Sequence, residues 1–564
     1  MTTPSRLPVV LLWHMHQPQY RDLLTGEYVL PWTYLHAIKD YTDMAAHLEA
    51  RTDARAVVNF TPILLEQLDD LARRTAAHLE HGAPLPDPVL ALIGPAPLPR
   101  SGAARAQLLR ACLRANAKNM IERFAPYLEL ATLAEPLATP ERAVYASDEL
   151  IRDLAVWYHL AWVGETVRRG DARIAALTEQ ARGFTDGQRR ELLVLIGDLL
   201  AGVIPRFRSL AEQGRCELAV SPYSHPILPL LIDFRSARES VPDSPLPRHA
   251  AYPGGAERAA WHVAESVRVF TRHFGRAPHG CWPSEGAVST AALDLIGQHG
   301  FLWAASGGNV LRTSLAEQSE RLEEAGALER PWRLDERALR CFFRDDRLSD
   351  LIGFTYSTWR GDDAAQNLAH ELAQLAQAGG DPGRAVLIAL DGENAWEHYP
   401  FNGYYFLSSL YAVLAEHPAL ELTTLSSCLE RGLVPTPLKR LVAGSWVYGT
   451  LGTWMGDPAK NAAWDLLCDA KLAFDSALAR GLGAEQRARA EAQLALCESS
   501  DWFWWFGDYN PADAVRQFDE LYRRQLANLY RCLELPPPET LARPIGVGHG
   551  VMEHGGVMRR ASAP

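Results

Sequence analysis

The sequence predicts an α/β fold: a parallel sheet wound with helices, interrupted by a long helical insertion and followed by a helical domain. Three observations predict it. Short apolar runs alternate with amphipathic stretches of helical period, which is the pattern of βα units. Between about residues 63 and 213 the helical pattern continues with no strand in it. After about residue 430 no strand pattern persists.

In order along the chain, the strand candidates are "PVVLLW" (8–13), "RAVVNF" (55–60), "CELAV" (216–220), "GCW" (280–282), "FLWAAS" (301–306), "LRCFFR" (339–344) and "RAVLIAL" (384–390). They are near-continuous apolar runs, as expected for strands covered on both faces. Helical stretches such as 287–299 and 363–377 lie between them, and about seven or eight such units close a barrel. The Pro/Gly-rich segment 81–102 reads as a surface loop inside the insertion. Segments 460–480, 484–498 and 512–533 read as the helices of the C-terminal domain, and the Gly-rich tail from 541 to 564 as mobile.

The 564 residues exceed what one compact core holds, so insertions or a second domain are required. A formal net charge of −12 argues against a nucleic-acid surface, which needs a basic field. No run approaches the ~20 apolar residues of a membrane span. The 8 cysteines form no CxxC pair, so they point to reduced thiols and a cytoplasmic protein, and neither a metal nor another cofactor is expected. The 16 tryptophans are unusual, and many stand beside polar residues. That placement suits a carbohydrate cleft, in which flat aromatic faces pack on sugar rings; the alternative is a set of amphipathic core residues.

In a parallel barrel the polar residues at the C-terminal strand ends converge on one site. The stretch "VVLLWHMHQPQY" (9–20) ends an apolar strand in His14, His16 and Gln17, with both histidines on one side because side-chain direction repeats every two residues. Other candidates of this kind are Asn59, Glu217, His225, Trp282, Arg344 and Asp345, with Trp396 following a further strand end. Two carboxylates stand out as chemistry-bearing: Glu285 in "GCWPSEGAVS" and Asp391 in "VLIALDGENAWEHYP". A charge at the end of a buried strand needs a partner or a task.

The five segments "HMHQPQY", "GRCELAVSPYSHPILPLL", "GCWPSEGAVS", "VLIALDGENAWEHYP" and "SSDWFWWFGDY" resemble, in order and character, the motif regions of glycoside hydrolase family 57, over roughly residues 7–530. The resemblance implies an incomplete (β/α)7 TIM-like barrel over 1–430, a helical domain over 431–540 that completes the cleft, and retaining action on an α-glucan or maltooligosaccharide. It implies Glu285 as nucleophile and Asp391 as general acid/base, with His14, His16, Glu217, Trp282, Asp501 and Trp504 at motif positions that meet substrate. An amylase-type hydrolase of α-1,4 links is expected, with 4-α-glucanotransferase or amylopullulanase-like activity as the alternative. Two other classes fit parts of the pattern: an amidohydrolase-type metal barrel beginning at His14 and His16, and a non-catalytic glucan-binding protein.

Overall fold

The computed structural model describes residues 6–318, 326–334, 337–378, 383–551 and 553–561; residues 552 and 562–564 of the tail lie outside the described residues. Its sheet contains β1 (Leu7–Met15), β2 (Ala56–Phe60), β3 (Cys216–Val220), β4 (Gly280–Cys281), β5 (Trp303–Gly307), β6 (Trp332–Leu334), β7 (Arg340–Arg344), β8 (Val386–Asp391), β9 (Leu420–Leu422) and β10 (Thr436–Leu438). Strands β8-β1-β2-β3-β4-β5-β7 form one continuous parallel series. β6 pairs antiparallel with β7, β10 extends from β6, and β9 lies beside the entering end of β1.

No ladder joins β7 to β8 among the described residues. The seam is crossed instead by single hydrogen bonds: Asp345 N–H donates to the Leu387 carbonyl (2.8 Å) and Arg344 Nη1 to the Ala389 carbonyl (2.9 Å). The architecture is therefore the incomplete (β/α)7 barrel, seven parallel strands with an open seam. β1, flanked by β2 and β8, is almost wholly buried, with Val9 to Trp13 fully covered, which is why it reads as an unbroken apolar run.

Between β2 and β3 the chain is helical, including α1 (Pro62–His81), α2 (Asp148–Trp162) and α3 (Asp186–Glu212). α3 starts at a capping box: the Thr185 hydroxyl accepts from Gln188 N–H while the Gln188 side chain accepts from Thr185 N–H. It packs along α1 and against β3. α4 (Gly255–Phe274) follows β3, and α5 (Gly361–Gln377) follows β7. The C-terminal part contains α6 (Pro458–Arg480), α7 (Ala484–Cys497), α8 (Ser500–Trp505) and α9 (Ala512–Cys532). No described helix is long and apolar enough to cross a membrane.

Three features depart from the sequence expectation. β6, β9 and β10 are additional strands of three residues each, too short to carry a two-residue periodicity, and β10 lies beyond residue 430. Within the segment 81–102, Val89, Leu90, Leu92 and Ile93 are buried in a turn held by the Asp87 carboxylate, which accepts from Val89 and Leu90 N–H; this part is packed and not a surface loop. The tail expected to be mobile lies against Trp504 and the barrel loops in its described part.

Candidate active site

Strand register builds the floor of the site. His14 pairs with Asn59 on one side and Asp391 on the other, so three polar residues lie in one row where β2, β1 and β8 end. His14 Nδ1 hydrogen-bonds Asn59 Oδ1 (2.6 Å), and burial together with the neighbouring His16 lowers its pKa to about 3. Just past the strand, Gly392 N–H donates to the His14 carbonyl (2.8 Å). A Cβ at Gly392 would meet Met15 Sδ at 2.3 Å, so any larger residue there would have to displace the buried Met15 side chain.

His16 stands at the lip. Its Nδ1 meets Thr61 Oγ1 (3.0 Å), its Nε2 meets Asp501 Oδ1 (2.7 Å), and its backbone N–H donates to Glu393 Oε1 (3.2 Å). His225 stacks on it with ring centroids 3.9 Å apart and bonds Ser500 Oγ through Nδ1 (2.9 Å). Burial, then His16 and His14, holds the His225 pKa well below the usual imidazole range. The loop carrying His225 is bent sharply, with Ser224 and His225 both at positive φ (57° and 66°).

Glu285 follows β4 in a tight turn, itself at φ 58°, a conformation that costs energy for a residue with a side chain and that clusters at functional sites. Trp446 Nε1 donates to Glu285 Oε2 (2.9 Å), and Trp446 N–H to the Glu285 carbonyl (3.1 Å). Arg344 in turn holds Trp446: its guanidinium lies 4.7 Å above the indole ring while Nε donates to Asp346 (2.8 Å). Burial and then the Asp391 charge push the Glu285 carboxyl up to about 8, against the indole hydrogen bond. Asp391 is also raised, by burial, with Asn394 Nδ2 donating to it (2.9 Å) in opposition. Like-charged neighbours in a dry site favour one proton between them.

A cavity of about 340 Å³ joins these groups. Its lining includes Glu285, Asp391, His14, His16, Gln17, Arg344 and Asp501, with aromatic walls from Trp32, Trp162, Trp446, Trp504 and Trp505. Sequence offered Glu393 only as one more polar group where the strand before it ends, and several other residues in this site were not singled out for it at all. Glu393 is buried, accepts from His16 N–H and Gln17 Nε2, and is raised well above its ordinary pKa, first by burial and next by Asp391. Trp446 carried only the sign of a tryptophan beside polar residues. Trp162 comes from the insertion, and Val557, Met558 and Arg559 come from the tail; nothing local in the sequence marks them.

Five expected substrate-contact residues do not line the cavity. Glu217 is the second residue of β3, at the opposite end of the sheet, where it accepts from Trp303 Nε1 (2.7 Å) and from Ser426 N–H (2.9 Å). Asp345 caps the turn after β7 by accepting from Leu348 N–H (2.8 Å). Trp396 is a core residue, its Nε1 on the Gly392 carbonyl (2.7 Å) and its ring edge-on to Trp13. Trp282 is fully buried behind the site, 5.1 Å from the Trp446 ring. His225 belongs to the cluster, with Nδ1 3.8 Å from Glu285 Oε1, but sits under His16.

Among the described residues, the histidine and carboxylate atoms spaced for a cation are those of His16, His225 and Asp501, within 4.8 Å of one another. His14 and Asp391, the other ligands of an amidohydrolase-type centre, are outside that set.

The family model described as Glycosyl hydrolase family 57 matches residues 10–437. No curated protein sequence matches the chain. Among solved structures, a GH57 branching enzyme from Thermococcus kodakaraensis superposes with TM-score 0.57 at 15% identity, over 93% of this chain and 90% of that one. The GH57-type branching enzyme of Pyrococcus horikoshii gives 0.55 at 15% identity (96% and 99% covered). The α-amylase AmyC of Thermotoga maritima gives 0.55 at 12% (94% of each). At these identities the likeness is one of fold.

Proposed function

The chain belongs to glycosyl hydrolase family 57, and from that premise we propose that it is a retaining enzyme acting on α-1,4-glucans, with Glu285 as nucleophile and Asp391 as general acid/base. The observation that carries the reading is the pair of carboxylates, both raised by burial and Glu285 further by the Asp391 charge, in one aromatic-walled cavity. Retention needs one ionised carboxylate to attack the anomeric carbon and one protonated acid to deliver a proton to the leaving oxygen. With the cleft empty, burial favours the proton on Glu285. Positive charge developing on the sugar ring favours ionised Glu285, as does the Trp446 N–H, and the shared proton then serves at Asp391. After the glycosyl-enzyme forms, ionised Asp391 takes a proton from the incoming hydroxyl.

Neutral His14, the His16–Asp501 pair and Gln17 supply hydrogen-bonding groups for sugar hydroxyls beside the carboxylates, with His225 stacked beneath His16. The incoming group is water in an amylase and a sugar hydroxyl in a transferase. The apolar walls given by Trp505, Phe518, Val557 and Met558 favour the second reading, 4-α-glucan transfer, because they limit water near the intermediate. Incubation with maltoheptaose tests both: only shorter products mean hydrolysis, products longer than the substrate mean transfer, and unchanged substrate would sink the assignment. The anomeric form of the first product, read by NMR, must be α.

A further inference from the structure

The tail beyond residue 545 crosses the cleft, and it lies outside the 10–437 span of the family match. On the helical side, His549 N–H donates to the Asp508 carbonyl (2.9 Å) and Gly550 N–H to the Asn510 carbonyl (3.1 Å). A side chain at Gly550 would strike the Tyr509 carbonyl oxygen at 1.7 Å, so the close docking there depends on glycine. Trp504 Nε1 then donates to the Gly556 carbonyl (2.9 Å). The Arg559 guanidinium lies over Trp504 (4.4 Å) and Tyr509 (4.9 Å) and donates to the Trp504 carbonyl (3.2 Å) and Asn510 Oδ1 (3.3 Å).

On the barrel side the same segment is pinned again. Ala561 N–H donates to Asp350 Oδ2 (3.0 Å), and the Ala561 carbonyl accepts from Tyr448 N–H (2.9 Å) and Asn309 Nδ2 (2.9 Å). Arg560 lies 4.4 Å above the Phe354 ring. Between these anchors Gly555, Val557, Met558 and Arg559 face the cavity that holds Glu285 and Asp391. The cavity's volume, about 340 Å³, is at the small end of ligand pockets.

We propose that residues 555–561 are a fixed strap that closes one end of the cleft, with Val557 and Met558 as the end wall, so that the enzyme accepts only glucans that present a chain end. The proposal rests on the glucan-active reading. A strap anchored on two domains excludes a continuous chain sterically, a selectivity by clash instead of by added contact.

The test compares a large ring-closed α-1,4-glucan, which has no ends, with a linear α-1,4-glucan of similar size. The full chain should process the ring at least about 100-fold more slowly than the linear form. A chain ending after Gly548 should bring the two rates within about threefold of each other, as should the full-length double variant Val557→Gly/Met558→Gly, which keeps both anchors if the truncation fails to fold. Comparable rates on ring and linear glucan by the full chain overturn the strap. An undiminished ring-to-linear difference in the folded variants also overturns it. If the full chain processes neither glucan, the glucan-active reading itself fails and the strap proposal with it.

Discussion

Two buried clusters in this molecule combine glutamate with histidine, and they are opposite in kind. In the first, Glu498 at the end of α7 accepts from Arg258 Nε (2.9 Å) and Nη2 (2.7 Å), His262 Nε2 (2.7 Å) and Tyr252 Oη (2.6 Å). Burial pushes its carboxyl up, but Arg258 and His262 override this and hold it well below the usual carboxylate range. In the second, Asp391 neighbours both Glu285 and Glu393, none of the three is hydrogen-bonded to a cationic side chain among the described residues, and all three are raised. His14 Nε2, His225 Nε2 and Glu393 Oε2 are buried there without a hydrogen-bond partner. A cluster whose every charge is answered cements the helical domain to α4. One left short of partners costs stability, and such clusters gather at functional sites.

That contrast can be broken first at its centre. Glu285→Gln should lower glucan turnover by roughly 10⁴-fold without loss of fold. It should also raise stability in a pH-dependent way. The folded chain keeps the Glu285 proton up to about pH 8, whereas the unfolded chain loses it near its ordinary value of 4.5. The folded state therefore binds more protons between those values, and stability falls as pH rises through that window. The melting temperature of Glu285→Gln should exceed that of the unaltered protein most at pH 8 and scarcely at pH 4.5. A variant less stable than the parent at pH 8 would contradict the assignment of a strained, unsatisfied cluster.

Glu498→Gln should do the reverse, destabilising by about 3–5 kcal/mol because Arg258 and His262 lose their counter-charge in a dry interior. A carboxyl with a depressed folded pKa contributes stability above its ordinary value and loses it as pH falls through the folded one. The deficit should therefore be full at pH 7 and shrink on acidification below about pH 4.5. Turnover per folded molecule should change little, and a large fall in it would erase the distinction between the clusters.

Trp446→Phe sharpens the comparison by removing the one donor that the structure gives the Glu285 carboxylate group. Its loss should raise the Glu285 pKa further, move the basic limb of the kcat/KM profile, where the pair loses its last proton, to higher pH, and cost about 10-fold at the optimum. An unmoved limb would mean that Glu285 is not the group titrating there. The smallest effect should come from Glu217→Gln at the far end of the sheet: about 1–2 kcal/mol of stability, from weaker bonds to Trp303 and Ser426, and less than a twofold change in turnover.

The local pattern of residues was enough for much of this. Apolar runs that end in polar groups marked β1 and β8, and their parallel pairing then brings His14 and Asp391 into one row because the two strands point the same way. The strand Cys216–Val220 likewise runs on past Glu217, placing it at the entering end, although motif likeness suggested a site residue. The sequence by itself thus determined the seven strands of the parallel series, their common direction and the pair of carboxylates, since periodicity and chain direction are properties of neighbours. Only the tertiary structure decided that Trp446 holds Glu285 from 161 positions away, that His225 slides under His16, and that the tail closes on Trp504. These contacts join residues far apart in sequence through packing between domains, and no local spacing of residues records which distant surface a side chain will meet.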